Sequence, residues 1–236
     1  VLVCLMLINR LLKSRWKYVI LALVLIFVFV AWMSRGTVHS REETSYGITF
    51  SHKHAEDLGL DWKETYKAIL DDLGVRKLRL VAYWDEVEEA PGIYRYDELD
   101  WQVGQAASSG ASVILAVGGR LPRWPECHYP DWADRMKKEE RQKRILSYIE
   151  RTVKRYKDNS HIIAWQVENE PFLSHFGKCP KLDKGFLDRE IALVRELDDR
   201  PIVVTDSGEL SLWVPAARRA DIFGTTLYKN TYSQVL

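Results

Sequence analysis

Hydrophobic and polar positions divide the chain into two unlike stretches. Residues 18–33 read YVILALVLIFVFVAWM, 16 residues without a charge, Gly or Pro. As a helix this run is roughly 24 Å long. It is apolar on every face, and a bilayer core is about 30 Å thick. Trp16 and Trp32 stand near its ends, and Arg10, Lys13, Arg15 and Lys17 precede it. That basic flank predicts a signal-anchor transmembrane helix over residues 18–34, with residues 1–17 cytoplasmic and the remainder outside the cytoplasm. A cleaved signal peptide is the alternative, but Met33-Ser34-Arg35-Gly36 offers no small-x-small cleavage site. Residues 35–45 are polar and read as a linker.

From residue 46 onward the pattern alternates between short β-rich runs and amphipathic helical stretches. Strands are predicted at 46–51, 77–83, 111–117, 162–167, 202–205 and 222–227. Helices are predicted at 62–73, 97–109, 138–157, 183–197 and 212–220. In the long charged helix, Ile145, Leu146, Ile149, Val153 and Tyr156 form the apolar stripe. Gly74 and Gly110 stop the first two helices.

Strands alternating with helices imply an α/β fold with a parallel sheet. An open doubly wound sheet would need a Gly-rich turn after its first strand. That position holds His52-Lys53-His54-Ala55, and the later Gly118-Gly119 pair lacks a third Gly. A closed barrel places functional residues after several strands at one face. The sequence has His52, then Trp84 and Glu86, then Arg120 and Trp124, then Glu168 and Glu170, then Asp206, then Tyr228. The expectation for 46–236 is therefore an incomplete (β/α)₈ TIM barrel of about six βα units. A barrel needs eight units, so two more are expected beyond Leu236.

Composition changes this picture little. The 236 residues carry a net charge of +1, which gives no reason to expect nucleic acid as a partner. No His/Cys/Asp cluster has metal-ligand spacing, and neither metal nor cofactor is expected. Of the three cysteines, Cys4 precedes the apolar run. Cys127 follows the third strand and Cys179 the fourth, in the part expected to be exported. Loops of neighbouring strands emerge side by side, so a Cys127–Cys179 disulfide is expected there, with two free buried thiols as the alternative.

The sharpest motif is Trp165-Gln166-Val167-Glu168-Asn169-Glu170-Pro171. Pro171 ends the strand. Side-chain alternation would let Glu168 and Glu170 share a face. Like charges close together raise one carboxyl's pKa and keep a proton available for a glycosidic oxygen. The ordinary alternative, pairing with a buried Arg, suits Glu168 better than Glu170, and Arg79 is the expected partner of Glu168.

With these residues the chain resembles glycoside hydrolase clan A, the retaining (β/α)₈-barrel glycosidases whose fourth strand ends in Asn-Glu, often Asn-Glu-Pro. The string from Trp165 to Glu170 is similar to that of the clan's β-galactosidase-type families. The resemblance implies Glu170 as general acid/base and Asn169 as ligand of the sugar 2-hydroxyl. It also implies Arg79 beside the nucleophile and Tyr228 bonded to it, the nucleophile being a Glu on a seventh strand. Trp84-Asp85-Glu86, Pro91-Gly92 and Leu99-Asp100 look like further clan segments. The implied substrate is an oligo- or polysaccharide with β-linkages. Trp84 and Trp124 are expected to bind its rings, with Trp132 and Trp213 nearby. Asp206 suits substrate contact or helix capping equally, and His161 reads as structural. The alternative function is a barrel that binds glycan without cleaving it.

Overall fold

The structure is a computed structural model that describes residues 2–34, 45–173, 175–208 and 211–226, with the side chains of the first helix described over 15–31. It falls into two compact units, Val1–Ser45 and Tyr46–Leu236.

The first unit is one helix, α1, Leu2–Ser34. Its apolar side chains from Tyr18 to Val30 are exposed. Among the described residues, no helix is long and apolar enough to cross a membrane. The transmembrane anchor expected over 18–34 is therefore not supported. The uncharged run is only 16 residues, several ångströms short of the roughly 30 Å of a bilayer core.

The second unit is built on six parallel strands in the order β1-β2-β3-β4-β5-β6. These are β1 Ile48–Thr49, β2 Lys77–Val81, β3 Ser112–Val117, β4 Ile162–Val167, β5 Ile202–Asp206 and β6 Ile222–Thr225. Sequential order without a reversal is the barrel arrangement, whereas a doubly wound sheet switches direction. Six strands of this kind make an incomplete TIM barrel.

Helices fill the connections: α2 His52–Asp57, α3 Trp62–Asp71, α4 Trp84–Val87, α5 Asp97–Ser108, α6 Asp131–Asp134, α7 Lys138–Tyr156, α8 Lys184–Leu197 and α9 Val214–Ala217. Asp61 caps α3 by accepting from the Lys63 and Glu64 amides, and Asp183 caps α8 by accepting from Phe186. Leu78, Leu80, Val113, Leu115, Trp165 and Val167 face the helices and join one core with Tyr66, Leu70, Ile145, Ile149 and Leu187. Alternation turns Arg79 and Gln166 to the opposite, barrel-side face, where Arg79 Nη1 donates to Gln166 Oε1 at 3.1 Å.

The second strand stops at Val81, short of the expected 83, because the chain turns into α4. That turn carries Trp84 away from the barrel mouth. It is fully buried against Tyr129, Trp132 and Tyr148, and its indole N–H donates to Glu88 at 2.8 Å. The expectation that Trp84 binds substrate is corrected: a ring with no exposed surface cannot stack on a sugar.

Candidate active site

At the end of β4 the backbone enters the left-handed region twice, with φ 60° at Glu168 and 45° at Glu170. Such values are uncommon for residues other than Gly. They break the strand alternation, so the two carboxyls diverge instead of sharing a face.

Glu168 turns to the helix side. Its Oε1 accepts from the Gly119 amide at 2.8 Å and its Oε2 from the Arg120 amide at 2.6 Å. Gly118 makes room for it: with φ 128°, a Cβ there would come 2.6 Å from Glu168 Oε1. Beyond the carboxyl lies Glu190 of α8, within side-chain hydrogen-bonding reach of Glu168. Burial pushes the Glu168 carboxyl up, against the bonds from Glu190, Gly119 and Arg120. Burial and the Glu168 charge push Glu190 well above the usual range. Glu168 is thus held by amides and a second acid, in place of the expected Arg79. Arg79 donates to Thr49 Oγ1 at 3.0 Å and to Gln166.

Glu170 turns the other way, toward the ends of β5 and β6. Its amide donates to Thr205 Oγ1 at 3.0 Å, and its Oε1 accepts from the Thr226 hydroxyl at 2.9 Å. The residue is 7% exposed. Asn169 lies between the two acids. Its Oδ1 accepts from Gln166 Nε2 and Thr205 Oγ1, each at 3.3 Å, and its Nδ2 donates to Glu126 Oε2 at 3.1 Å. Arg79, Gln166, Asn169, Thr205, Glu170 and Thr226 thereby form one hydrogen-bonded chain across the ends of β2, β4, β5 and β6.

The loop after β3 completes this side. Arg120 Nε donates to the Asn169 carbonyl and Nη2 to that of Phe176, both at 2.9 Å. Cys127 and Cys179 form a disulfide with a Cα–Cα separation of 5.2 Å, so the loops after β3 and β4 are joined covalently. Glu126, buried beside Cys127, sits within electrostatic reach of Glu170. Burial pushes its carboxyl up, the Asn169 bond and Arg120 charge oppose this, and the Glu170 charge adds to it. The arrangement offers an acid at the barrel mouth with an amide beside it and a second carboxyl across from it.

These features match a known group. The family profile of glycoside hydrolase family 42, described as β-galactosidase, matches residues 59–200, more than half of the chain. The chain belongs to this family. The β-galactosidase BgaA of Clostridium cellulovorans is 24% identical over 165 residues, which cover 61% of this chain and 25% of that protein. The β-galactosidase LacZ of Lactobacillus acidophilus is 27% identical over 105 residues, 37% of this chain and 16% of its own length. The chain thus spans a quarter or less of the curated relatives it matches. A solved β-galactosidase from Marinomonas ef1 shares the fold at a TM-score of 0.56, with 14% identity over 78% of this chain and 41% of that one.

The remaining expected site residues of this family member fall in different places. Trp124 is 60% exposed, with its ring edge-on to Phe176 at 6.0 Å and the Lys178 ammonium at 5.8 Å, so it is open to a ligand. Trp132 packs on Trp84 and donates to the Glu88 carbonyl. Trp213 is partly exposed and donates to the Ser207 carbonyl. Asp206 is fully buried and takes up the Ser207 amide and the Ser211 hydroxyl, which makes it a turn-former. His52 is buried and pairs with Glu86 at 2.7 Å. Burial would raise the Glu86 carboxyl, but the bond from His52 and the charges of His52 and Lys53 hold it below the usual range. Tyr228 lies outside the described residues. Sequence reasoning missed Glu126, which no periodicity marks. It also missed Glu190, which a closer reading of α8 would find.

Proposed function

We propose that this domain is a retaining glycoside hydrolase acting on β-linked, galactose-type sugars, with Glu170 as general acid/base. The observation that carries the proposal is Glu170 itself: a buried carboxyl at the end of a barrel strand, tied by the Thr226 hydroxyl and placed next to Asn169. A hydroxyl-bonded acid can exchange that bond for one to a glycosidic oxygen and deliver its proton there. It then takes a proton from water in the second step. Asn169 would hold the sugar 2-hydroxyl, with Glu126 as the acceptor on the other side of its amide. Arg79 and Tyr228 would serve the nucleophile, and Trp124 would carry a ring of the leaving group. The nucleophile must lie about 5 Å from Glu170, and the clan places it on a seventh strand, beyond the six described here.

The location is proposed to be outside the cytoplasm. The Cys127–Cys179 disulfide supports an oxidising compartment. Protease added to intact cells should degrade the domain, and full protection would defeat this location.

The hydrolase reading is tested with Glu170→Gln in the full-length protein, using aryl β-galactosides whose leaving groups span a range of acidity. Only poor leaving groups need protonation, so the variant should lose activity on them and keep much of it on good ones. Equal activity of variant and wild type on every substrate would sink the assignment.

A further inference from the structure

On the helix side of the sheet, behind the loops after β3 and β4, lies a cavity of about 280 Å³. Its lining runs from Arg120 to Glu190 and does not include Glu170. Its inner end holds the carboxyls of Glu168 and Glu190. Glu190 is 1% exposed, and among the described residues its Oε1 has no hydrogen-bond partner. The walls between are apolar, with Ile145, Phe186 and Leu187. Four cations line the cavity: Arg120 donates to the Asn169 and Phe176 carbonyls and Lys138 pairs with Asp183, while Arg141 is half-buried and Lys181 exposed. Arg141 stacks on the Tyr129 ring at 5.4 Å. Among the described residues, the rim's carboxylate, Asp183, is taken by Lys138 at 2.7 Å and caps α8.

We propose that this cavity binds a small zwitterion, with its ammonium against Glu168 and Glu190 and its anionic end at Arg141 and Lys181. The orphan Glu190 oxygen calls for a hydrogen-bond donor, because a buried acceptor without one is destabilising. A cationic donor also relieves the like-charge contact of the two acids, which burial alone pushes toward the protonated form. Arg141 and Lys181 favour an anion at one end, and the acid pair favours a cationic donor at the other. A molecule carrying both charges meets both ends, and methylene groups suit the apolar walls between. The site is independent of the role given to Glu170.

The test is titration calorimetry on the full chain with 6-aminohexanoate, and with hexylamine, hexanoate and galactose as comparisons. The expected result is one site for 6-aminohexanoate, bound at least about tenfold more tightly than either singly charged analogue, since each end contributes a charge-assisted hydrogen bond. Leu182→Trp, which fills the cavity from its rim, should abolish binding and leave any galactoside hydrolysis unchanged. Glu190→Gln should weaken binding about tenfold; if that variant does not fold, Leu182→Trp still decides, because it leaves the acid pair intact. The proposal is overturned if hexylamine or hexanoate binds as tightly as 6-aminohexanoate, if Leu182→Trp binds it like wild type, if galactose takes the cavity instead, or if no probe binds.

Discussion

Glu168 and Glu170 stand two residues apart at the end of one strand, each 7% exposed, in surroundings of opposite character. On the helix side, Glu168 is gripped by two backbone amides and abuts Glu190. On the barrel side, the Glu170 carboxyl has one partner among the described residues, a threonine hydroxyl. The first arrangement fixes a carboxyl in place, because every move leaves buried amides unpaired. The second leaves a carboxyl able to trade one hydroxyl partner for another. Burial does not distinguish these two acids; the identity and number of their partners do.

Substitution at each position should therefore damage a different property. Glu170→Gln keeps the shape and removes the proton. Turnover of poor leaving groups should fall by about 10²–10⁴-fold in the full-length protein, with stability changed by no more than about 1 kcal/mol. Glu168→Ala should do the reverse at the folding level. It strands the Gly119 and Arg120 amides, which should lower the unfolding free energy by about 2–5 kcal/mol. Urea titration beside steady-state rates reads both. A Glu168 variant that stays stable and loses only turnover would erase the distinction between the two sides.

The disulfide offers a third way to probe the boundary between the regions, since its two half-cystines line the helix-side cavity and brace the loop that carries Glu126. It closes a loop across a separation of 52 residues. Replacing both cysteines by Ser should lower stability by roughly 2–4 kcal/mol, chiefly by freeing the unfolded chain. Thermal melts under non-reducing conditions would show it, and a melt unchanged by the double replacement would mean that the crosslink restrains little.

The strands were legible because buried parallel strands read as short apolar runs. β4 falls on the expected 162–167, and β3 and β5 depart by one residue at an end. The short helices α2 and α4 were not legible, because each is about one turn whose existence depends on loop packing more than on period. Glu170 could be picked out as a carboxyl at a strand end, where a barrel gathers its functional residues, and Asn169 through the resemblance to clan A. The direction of Glu168 could not, because alternation assumes extended backbone and the chain adopts φ 60° there. Glu126 has no local signature beyond its place next to Cys127. Glu190 did have one. It follows Phe186 by four residues and Leu187 by three, in register with Ile191 and Val194, so it lies on the buried stripe of α8. A carboxyl at such a position signals a buried partner.

The smallest effect expected is the one that isolates this pair. Glu190 is raised well above its ordinary value of 4.5 by burial and by the Glu168 charge. The folded protein therefore keeps a proton that the unfolded chain has already lost. In that window unfolding releases a proton, so stability falls as pH rises, by up to about 1.4 kcal/mol per pH unit for one group. The loss starts near the ordinary carboxyl value and becomes constant once the pair ionises in the folded state. Glu86, Asp100, Asp183 and Asp221 are lowered and act in the opposite sense, but they do so in wild type and variant alike. The difference between Glu190→Gln and wild type thus isolates the pair. The amide introduced by Glu190→Gln has no proton to lose and can donate to an ionised Glu168, so the variant should gain on wild type as pH rises from about 4.5 toward neutrality and beyond. Urea midpoints across that range measure it. Parallel curves would show that Glu190 gives up its proton as an ordinary carboxyl does and that Glu168 does not hold it protonated.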